Sequence, residues 1–416
     1  MASSFAHAHA TFPGVVGAPA PASIRPCFDA ECAHWKDTDG NRIEAHGAGV
    51  IQSPLDKRWY WIGESTKGQQ PQHSGINCYS SASLAGPWKF EGRIFEQGQI
   101  QVAGHTGPLI IERPKVLYNR RTRKFVLWFH LDTAGYELHR IGVALADTAA
   151  GPYAFAQDLV PDGLPSYDFT VWADVDGEGY FVRSCANGPF VGYFAISALA
   201  DDYLNVTDGI LSRDFGGLWQ REGFALFRHP APHGKVHMIM SHTWGWHPNP
   251  LVLYRMDGPS FSDPRWTDLG NPTGALSSFN SQPASVVPYT TPAGLAYPIY
   301  IADNWLHGGA EGLADASYVW LPLRFTSDGY GHLDCLPQWD LNHPFVAGGR
   351  PGATRRCGRG NFALALSGLA PLGLLGGIAG AALMCRFACR RACRPRQQGD
   401  SRQLSEPFCE PVEQSS

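Results

Sequence analysis

The 416-residue chain has ten cysteines but no C-x-x-C pair, which weakens zinc-ribbon and thioredoxin-like readings. Charge is scarce as well: Asp, Glu, Lys and Arg make up 17% of residues, the net charge is −4 and the pI is near 6.5. No basic stripe crosses the globular part, so nothing points to nucleic acid as a partner. Residues 1–26 lack both a basic n-region and a continuous apolar h-region, so no secretory signal is read there and a disordered leader is expected. Aromatics are plentiful at 12%, and the 47 glycines and 32 prolines form about a fifth of the chain. An all-β protein with many tight turns fits that balance better than a helical one.

Between about residues 27 and 340 one pattern recurs: a short apolar strand, a turn, a second aromatic strand, and a third segment ending in polar turn residues. The second strands stand out as Arg58–Ile62, Lys124–Phe129, Gly179–Val182, Val236–Met240 and Tyr297–Ile301, spaced roughly every 55 to 65 residues. Five such sets predict a five-bladed β-propeller, with a pair of β-sandwiches as the alternative.

The innermost strand of each propeller blade lines the axis. The five predicted inner strands are Gly47–Ile51, Glu112–Val116, Asp168–Trp172, Glu222–Leu226 and Gln282–Val286. Glu112, Asp168, Glu222 and Gln282 therefore hold equivalent positions in four consecutive blades and converge on one axis. The stretch Gln220–Pro250 brings Ser241, Thr243, Trp244 and Trp246 to the same place as Glu222. An acid beside a hydroxyl and two indoles suits a sugar-cleaving pocket. The plain alternative is a hairpin with a solvated Glu.

Beyond the propeller, residues 341–360 are Gly- and Arg-rich and read as a linker. Phe362–Cys385 then runs 24 residues without a charge, enough to span about 30 Å of hydrocarbon. A single transmembrane helix over 361–386 is expected to hold the chain in a lipid bilayer, a buried soluble helix being the alternative. Gly376 and Gly380 offer a close helix contact. Five arginines between Arg386 and Arg396 favour a cytoplasmic tail over 387–416, although Arg350, Arg355, Arg356 and Arg359 precede the span. Cys385, Cys389 and Cys393 stand at the membrane edge as palmitoylation candidates. Six cysteines precede the span, and Asn205-Val206-Thr207 is an N-glycosylation sequon. Both fit a lumenal or extracellular propeller.

Glycoside hydrolysis needs a protonated acid at the leaving oxygen and a second group across the sugar, roughly 6.5–9.5 Å away in inverting enzymes. Glu222 is the better acid, because its apolar neighbours raise its pKa by desolvation. Asp168 can set that protonation state and orient the acid by a hydrogen bond. Glu112 can bind sugar hydroxyls, and Trp244 and Trp246 offer faces to a pyranose ring. In plainer roles Asp168 caps a turn and Glu112 pairs with Arg113 or Lys115. No cofactor or metal is expected.

The segments Glu112–Asn119, Trp128–His130, Asp174–Gly177, Thr243–Asn249, Phe279–Gln282 and Tyr318–Leu323 resemble glycoside hydrolase family 43, in particular its exo-β-1,3-galactanase branch. The resemblance covers about residues 27–340. It implies a five-bladed propeller that hydrolyses by inversion, with Glu222 as general acid and Asp168 tuning its pKa. Most of the family carries a general-base Asp at the start of the first blade. Here Ala45–Gly49 has no carboxylate, an absence shared by the galactanase branch, where a Gln matching Gln282 is taken to orient or activate water. A neutral carboxamide is a poor base, so Gln282 is expected to position water or to act through an unusual tautomer. By the same resemblance Glu112 binds the terminal sugar, and Glu64, Tyr136, Asn187, Thr243 and Asp303 match other sugar-contacting positions. The chain departs from the branch at Gly223-Phe224, Tyr167 and Asn304. These changes surround the pocket without removing the acid, and bear on substrate more than on chemistry.

The leading expectation is a membrane-anchored enzyme that removes galactose from β-1,3-galactan of arabinogalactan-type glycans. Two alternatives stand beside it: a surface carbohydrate-binding protein without catalysis, and a β-xylosidase or α-L-arabinofuranosidase of the same family.

Overall fold

The computed structural model describes residues 23–345, apart from residue 208 and the segments 29–33, 67–74, 187–191, 216–220, 231–233, 244–246 and 306–315. Five four-stranded antiparallel sheets follow one another, each with its strands in chain order, as five propeller blades. Blade I comprises His46–Gln52, Trp59–Glu64, Gly75–Ser81 and Lys89–Glu96. Blade II comprises Ile110–Asn119, Lys124–Asp132, Arg140–Ala146 and Ala154–Leu159. Blade III comprises Phe169–Ala173, Gly179–Ala186, Gly192–Ala198 and Ser212–Phe215. Blade IV comprises Arg221–Arg228, Val236–His242, Leu251–Met256 and Trp266–Asp268. Blade V comprises Ser281–Thr290, Ala296–Asn304, Ser317–Phe325 and Gly331–Leu333. The five sheets rule out the β-sandwich alternative.

The strands form where aromatic and β-branched residues alternate, and they stop at residues that satisfy a turn. In blade II, for example, Asn119 Oδ1 accepts the N–H groups of Arg121 and Thr122 at 3.0 and 2.9 Å, which closes the hairpin into Lys124–Asp132. Large rings seal the blades to one another. Trp61 and Trp320 are fully buried, with ring centroids 4.7 Å apart, and join blades I and V. Trp128 meets Phe181 at 5.3 Å between blades II and III. Truncating such a ring to Ala costs roughly 3–5 kcal/mol.

A short strand forms within the segment expected to be a disordered leader. Ser23–Ile24 pairs antiparallel with Trp339–Asp340, and Cys27 N–H donates to Tyr318 O at 2.8 Å. Cys27 and Cys335 are each disulfide-bonded, whereas Cys78 and Cys185 are buried free thiols. Among the described residues no helix is long and apolar enough to cross a membrane. Residues 1–22, most of the 341–360 linker, the 361–386 span and the tail lie outside them.

Four of the five inner strands carry a β-bulge just past the residue nearest the axis. The register shifts lie between His46 and Gly49, Glu112 and Lys115, Glu222 and Ala225, and Pro283 and Ser285. The residue after the first position is left-handed in three of them, with φ of 56° at Gly47, 50° at Arg113 and 62° at Gly223. Such a bulge re-aims the side chains around it. Gly223 is also required by space, because a Cβ there would sit 2.9 Å from Gln282 Cγ.

Candidate active site

The bulges turn one end of the inner strands into a cavity of about 230 Å³. Glu64, Glu112, Asp168, Glu222 and Gln282 line it, together with Arg113, His130, Tyr136, Tyr167, His247 and Trp305. The four residues expected to converge on the axis thus share one cavity, and Glu64 and Tyr136 join them. Thr243 and Asp303 are not among the lining residues. Asp303 is buried behind the cavity, where Oδ1 lies 3.3 Å from His46 Nδ1 and Oδ2 accepts the Gly47 N–H at 2.8 Å. Asn187, Trp244 and Trp246 lie outside the described residues.

Arg113 occupies the middle of the arrangement. A regular strand would point it away from its neighbour Glu112, but the bulge turns it to the axis. Its Nε pairs with Asp168 Oδ1 at 2.6 Å, Nη1 donates to Pro283 O at 3.2 Å and Nη2 donates to Gln282 Oε1. Its backbone N–H donates to Glu64 Oε2 at 3.2 Å. Burial works against its charge, but Asp168, Glu222, Glu64 and Asp303 hold it firmly protonated.

These contacts fix the carboxamide of Gln282. Its oxygen accepts from Arg113 and, at 2.9 Å, from Trp305 Nε1. Its nitrogen is left to donate to Glu222 Oε1 at 2.9 Å, with Ser241 Oγ at 3.4 Å. Both lone pairs of the amide oxygen are occupied.

Burial, and then repulsion from Asp168, raise Glu222 well above the ordinary carboxylate range, against the opposing pull of Arg113 and the Gln282 hydrogen bond. The expected hydrogen bond between Asp168 and Glu222 is replaced by another arrangement. Asp168 Oδ1 pairs with Arg113, and Oδ2 accepts the Gly223 N–H at 2.9 Å. Asp168 therefore acts on its neighbour through charge.

Glu112 is held from two sides. Tyr136 OH donates to Oε1 at 2.7 Å, and His130 Nδ1 lies 3.1 Å from Oε2. Burial and the Glu112 charge push the Tyr136 phenol far up, so it remains a donor. Pairing of Glu112 with Arg113 or Lys115, the plainer reading, is not what holds it. Lys115 instead turns under the cavity, donating to Gly47 O and to Arg113 O at 3.3 Å. Burial and then Arg113 lower its pKa to about 7. His46 stands first on the inner strand of blade I and is fully buried outside the cavity lining. Burial alone would lower it, but hydrogen bonds with Asp303 and Glu44 bring it to about 9.

Sequence reasoning missed Arg113, Trp305 and His130 as parts of the site. A cluster of possible metal ligands (His130, Asp132 and His139) lies directly behind Glu112.

Among solved structures, the chain is similar to a family 43 β-1,3-galactosidase crystallised with galactodeoxynojirimycin. The two share 30% identity over 76% of this chain and 100% of that one, with a TM-score of 0.64. It is also similar to an exo-β-1,3-galactanase from Phanerochaete chrysosporium, crystallised as a glutamate-to-glutamine variant with β-1,3-galactotriose. Identity there is 29% over 77% of this chain and 68% of that one, with a TM-score of 0.63. A third similar structure is the exo-β-1,3-galactanase from Clostridium thermocellum, at 29% identity over 78% and 68% of the two chains and a TM-score of 0.66. Neither a protein-family model nor a curated protein matches the sequence.

Proposed function

The chain belongs to glycoside hydrolase family 43, and from that premise we propose that it releases galactose from β-1,3-linked galactan by inversion, with Glu222 as general acid. The observation that carries the reading is Glu222 itself: a buried carboxyl whose pKa burial and Asp168 raise, set in a small cavity beside Asp168, Arg113 and Gln282. Its similar structures include enzymes described as acting on β-1,3-galactosides, one of them crystallised as two different variants with β-1,3-galactotriose.

In this mechanism Gln282 donates to Oε1 of Glu222, leaving Oε2 to carry the proton toward the leaving oxygen. Asp168 keeps that proton on by its charge, and Arg113 holds Asp168 and Gln282 in register. Donors on both lone pairs of the Gln282 oxygen support an orienting role for this residue, in place of a base that takes a proton from water. Glu64 and Glu112 are the other cavity carboxylates able to hold the water or accept its proton. Tyr136 and Glu112 meet the terminal sugar from blade II.

Attachment to a bilayer through 361–386, with the propeller on the lumenal or extracellular side, belongs to the same proposal. The disulfide-bonded Cys27 and Cys335 and the exposed Asn205 support it. Hydrolysis of a panel of β-1,3-galactobiose, β-1,3-galactotriose, aryl β-xyloside and aryl α-L-arabinofuranoside tests the specificity. Turnover of the galactosides above the others is expected. Preference for either aryl glycoside would replace the substrate, and tight galactan binding with no turnover would replace catalysis by binding.

A further inference from the structure

Three ligand atoms converge on blade II behind the sugar cavity. His130 Nε2 lies 3.3 Å from Asp132 Oδ2, and His139 Nδ1 lies 3.0 Å from the same oxygen. All three atoms are within 4.8 Å of one another. His130 is 2% exposed and Asp132 fully buried. Each imidazole nitrogen faces that carboxylate oxygen at ion-pair distance, though neither meets it with good hydrogen-bond geometry.

A shared cation accounts for that geometry. Nitrogen and oxygen ligands sit about 2.0–2.2 Å from zinc, which places two ligands of a tetrahedral site about 3.3–3.5 Å apart, near the separations found here. The ligands are also oriented from outside. Glu112 Oε2 meets His130 Nδ1 at 3.1 Å, so with a metal bound the Nδ1 proton would point to Glu112 and the Nε2 lone pair would face the ion. Asp132 is fixed by the N–H groups of Thr133, Leu138 and His139 at 2.8, 2.8 and 3.0 Å. The His139 ring packs on Tyr167 at 4.5 Å.

We propose that His130, Asp132 and His139 form a binding site for a divalent transition metal of the zinc class. Two imidazoles and one carboxylate suit zinc or its neighbours better than calcium or magnesium, which favour oxygen ligands. A metal here fastens both ends of the 133–138 strap, which lays Tyr136 over Glu112. The inference does not depend on which glycan is cleaved.

The test is zinc titration of the full chain, stripped with a chelator, by calorimetry. Cobalt absorption spectra report the ligand geometry. One zinc per chain is expected, with a raised melting temperature. His139→Ala should weaken binding by more than about 100-fold, beyond the 10–100-fold typical of losing an outer-shell partner. His139→Phe keeps a ring against Tyr167 and should lose the metal equally while staying folded. His7→Ala with His9→Ala, which removes histidines of the leader, should change nothing. No stoichiometric zinc in the wild-type chain, or wild-type affinity in both His139 variants, would overturn the site.

Discussion

Gln282 donates an amide N–H to Glu222 across 2.9 Å, and it can do so in only one orientation, because Arg113 and Trp305 hold its oxygen from behind. Trp305→Phe removes one of the two holding bonds and leaves the ring in place. A hydrogen bond of this kind contributes about 1 kcal/mol, so kcat should drop roughly five- to tenfold with KM little changed. Steady-state kinetics on β-1,3-galactobiose reads the split. An effect confined to KM would assign Trp305 to sugar binding instead.

The pH profile should follow the charge on Asp168. That charge helps to keep Glu222 protonated, second only to burial. In Asp168→Asn the acid gives up its proton at lower pH, so the alkaline limb of kcat/KM should move down. The maximal rate should also fall, since the Arg113 contact is weakened. An alkaline limb that stays put would assign the titration to another group.

Stability should respond to the same proton with a definite sign. Glu222 has its pKa raised on folding, so between its unfolded and folded values the native state binds more protons than the unfolded one. Stability is therefore lost as pH rises through that window, and the penalty is absent below the unfolded value. Glu222→Gln removes the titration. Its melting temperature should exceed wild type at pH 8 and converge with wild type near pH 4. Thermal denaturation at the two pH values decides it, and equal melting temperatures at pH 8 would speak against a buried, protonated acid.

Tyr136 reaches Glu112 from a strap at the cavity rim and is 40% exposed. Tyr136→Phe should raise KM for galactobiose by about tenfold, the scale of one hydrogen bond to a charged group, and leave kcat within about twofold. A fall in kcat with unchanged KM would place the phenol in the chemistry.

The blades and the converging polar residues were legible because strand periodicity and inner-strand position survive in any single sequence. Glu112, Asp168, Glu222 and Gln282 needed only that counting. Arg113 did not yield to it. Alternation along a strand sends the neighbour of Glu112 to the opposite face, and only the bulge, with a left-handed Arg113, returns it to the axis. Asp303 matched a sugar-contacting position by resemblance, yet it lies behind the cavity bonded to His46 and Gly47, because the first-blade bulge brings their groups over it. Trp305 and His139 lie past strand ends, on paths that carry no periodic signal, so the cluster that His139 completes with His130 and Asp132 of the blade II strand could not be counted out.

The central claim is that Glu222 protonates the leaving oxygen of an inverting reaction. Proton NMR of β-1,3-galactotriose during hydrolysis, with wild type and Glu222→Gln side by side, tests it most directly. The account predicts that α-galactose appears first from the wild type and that the variant is slowed by about 10²–10⁴-fold. First release of β-galactose, or equal rates in the two proteins, would contradict it.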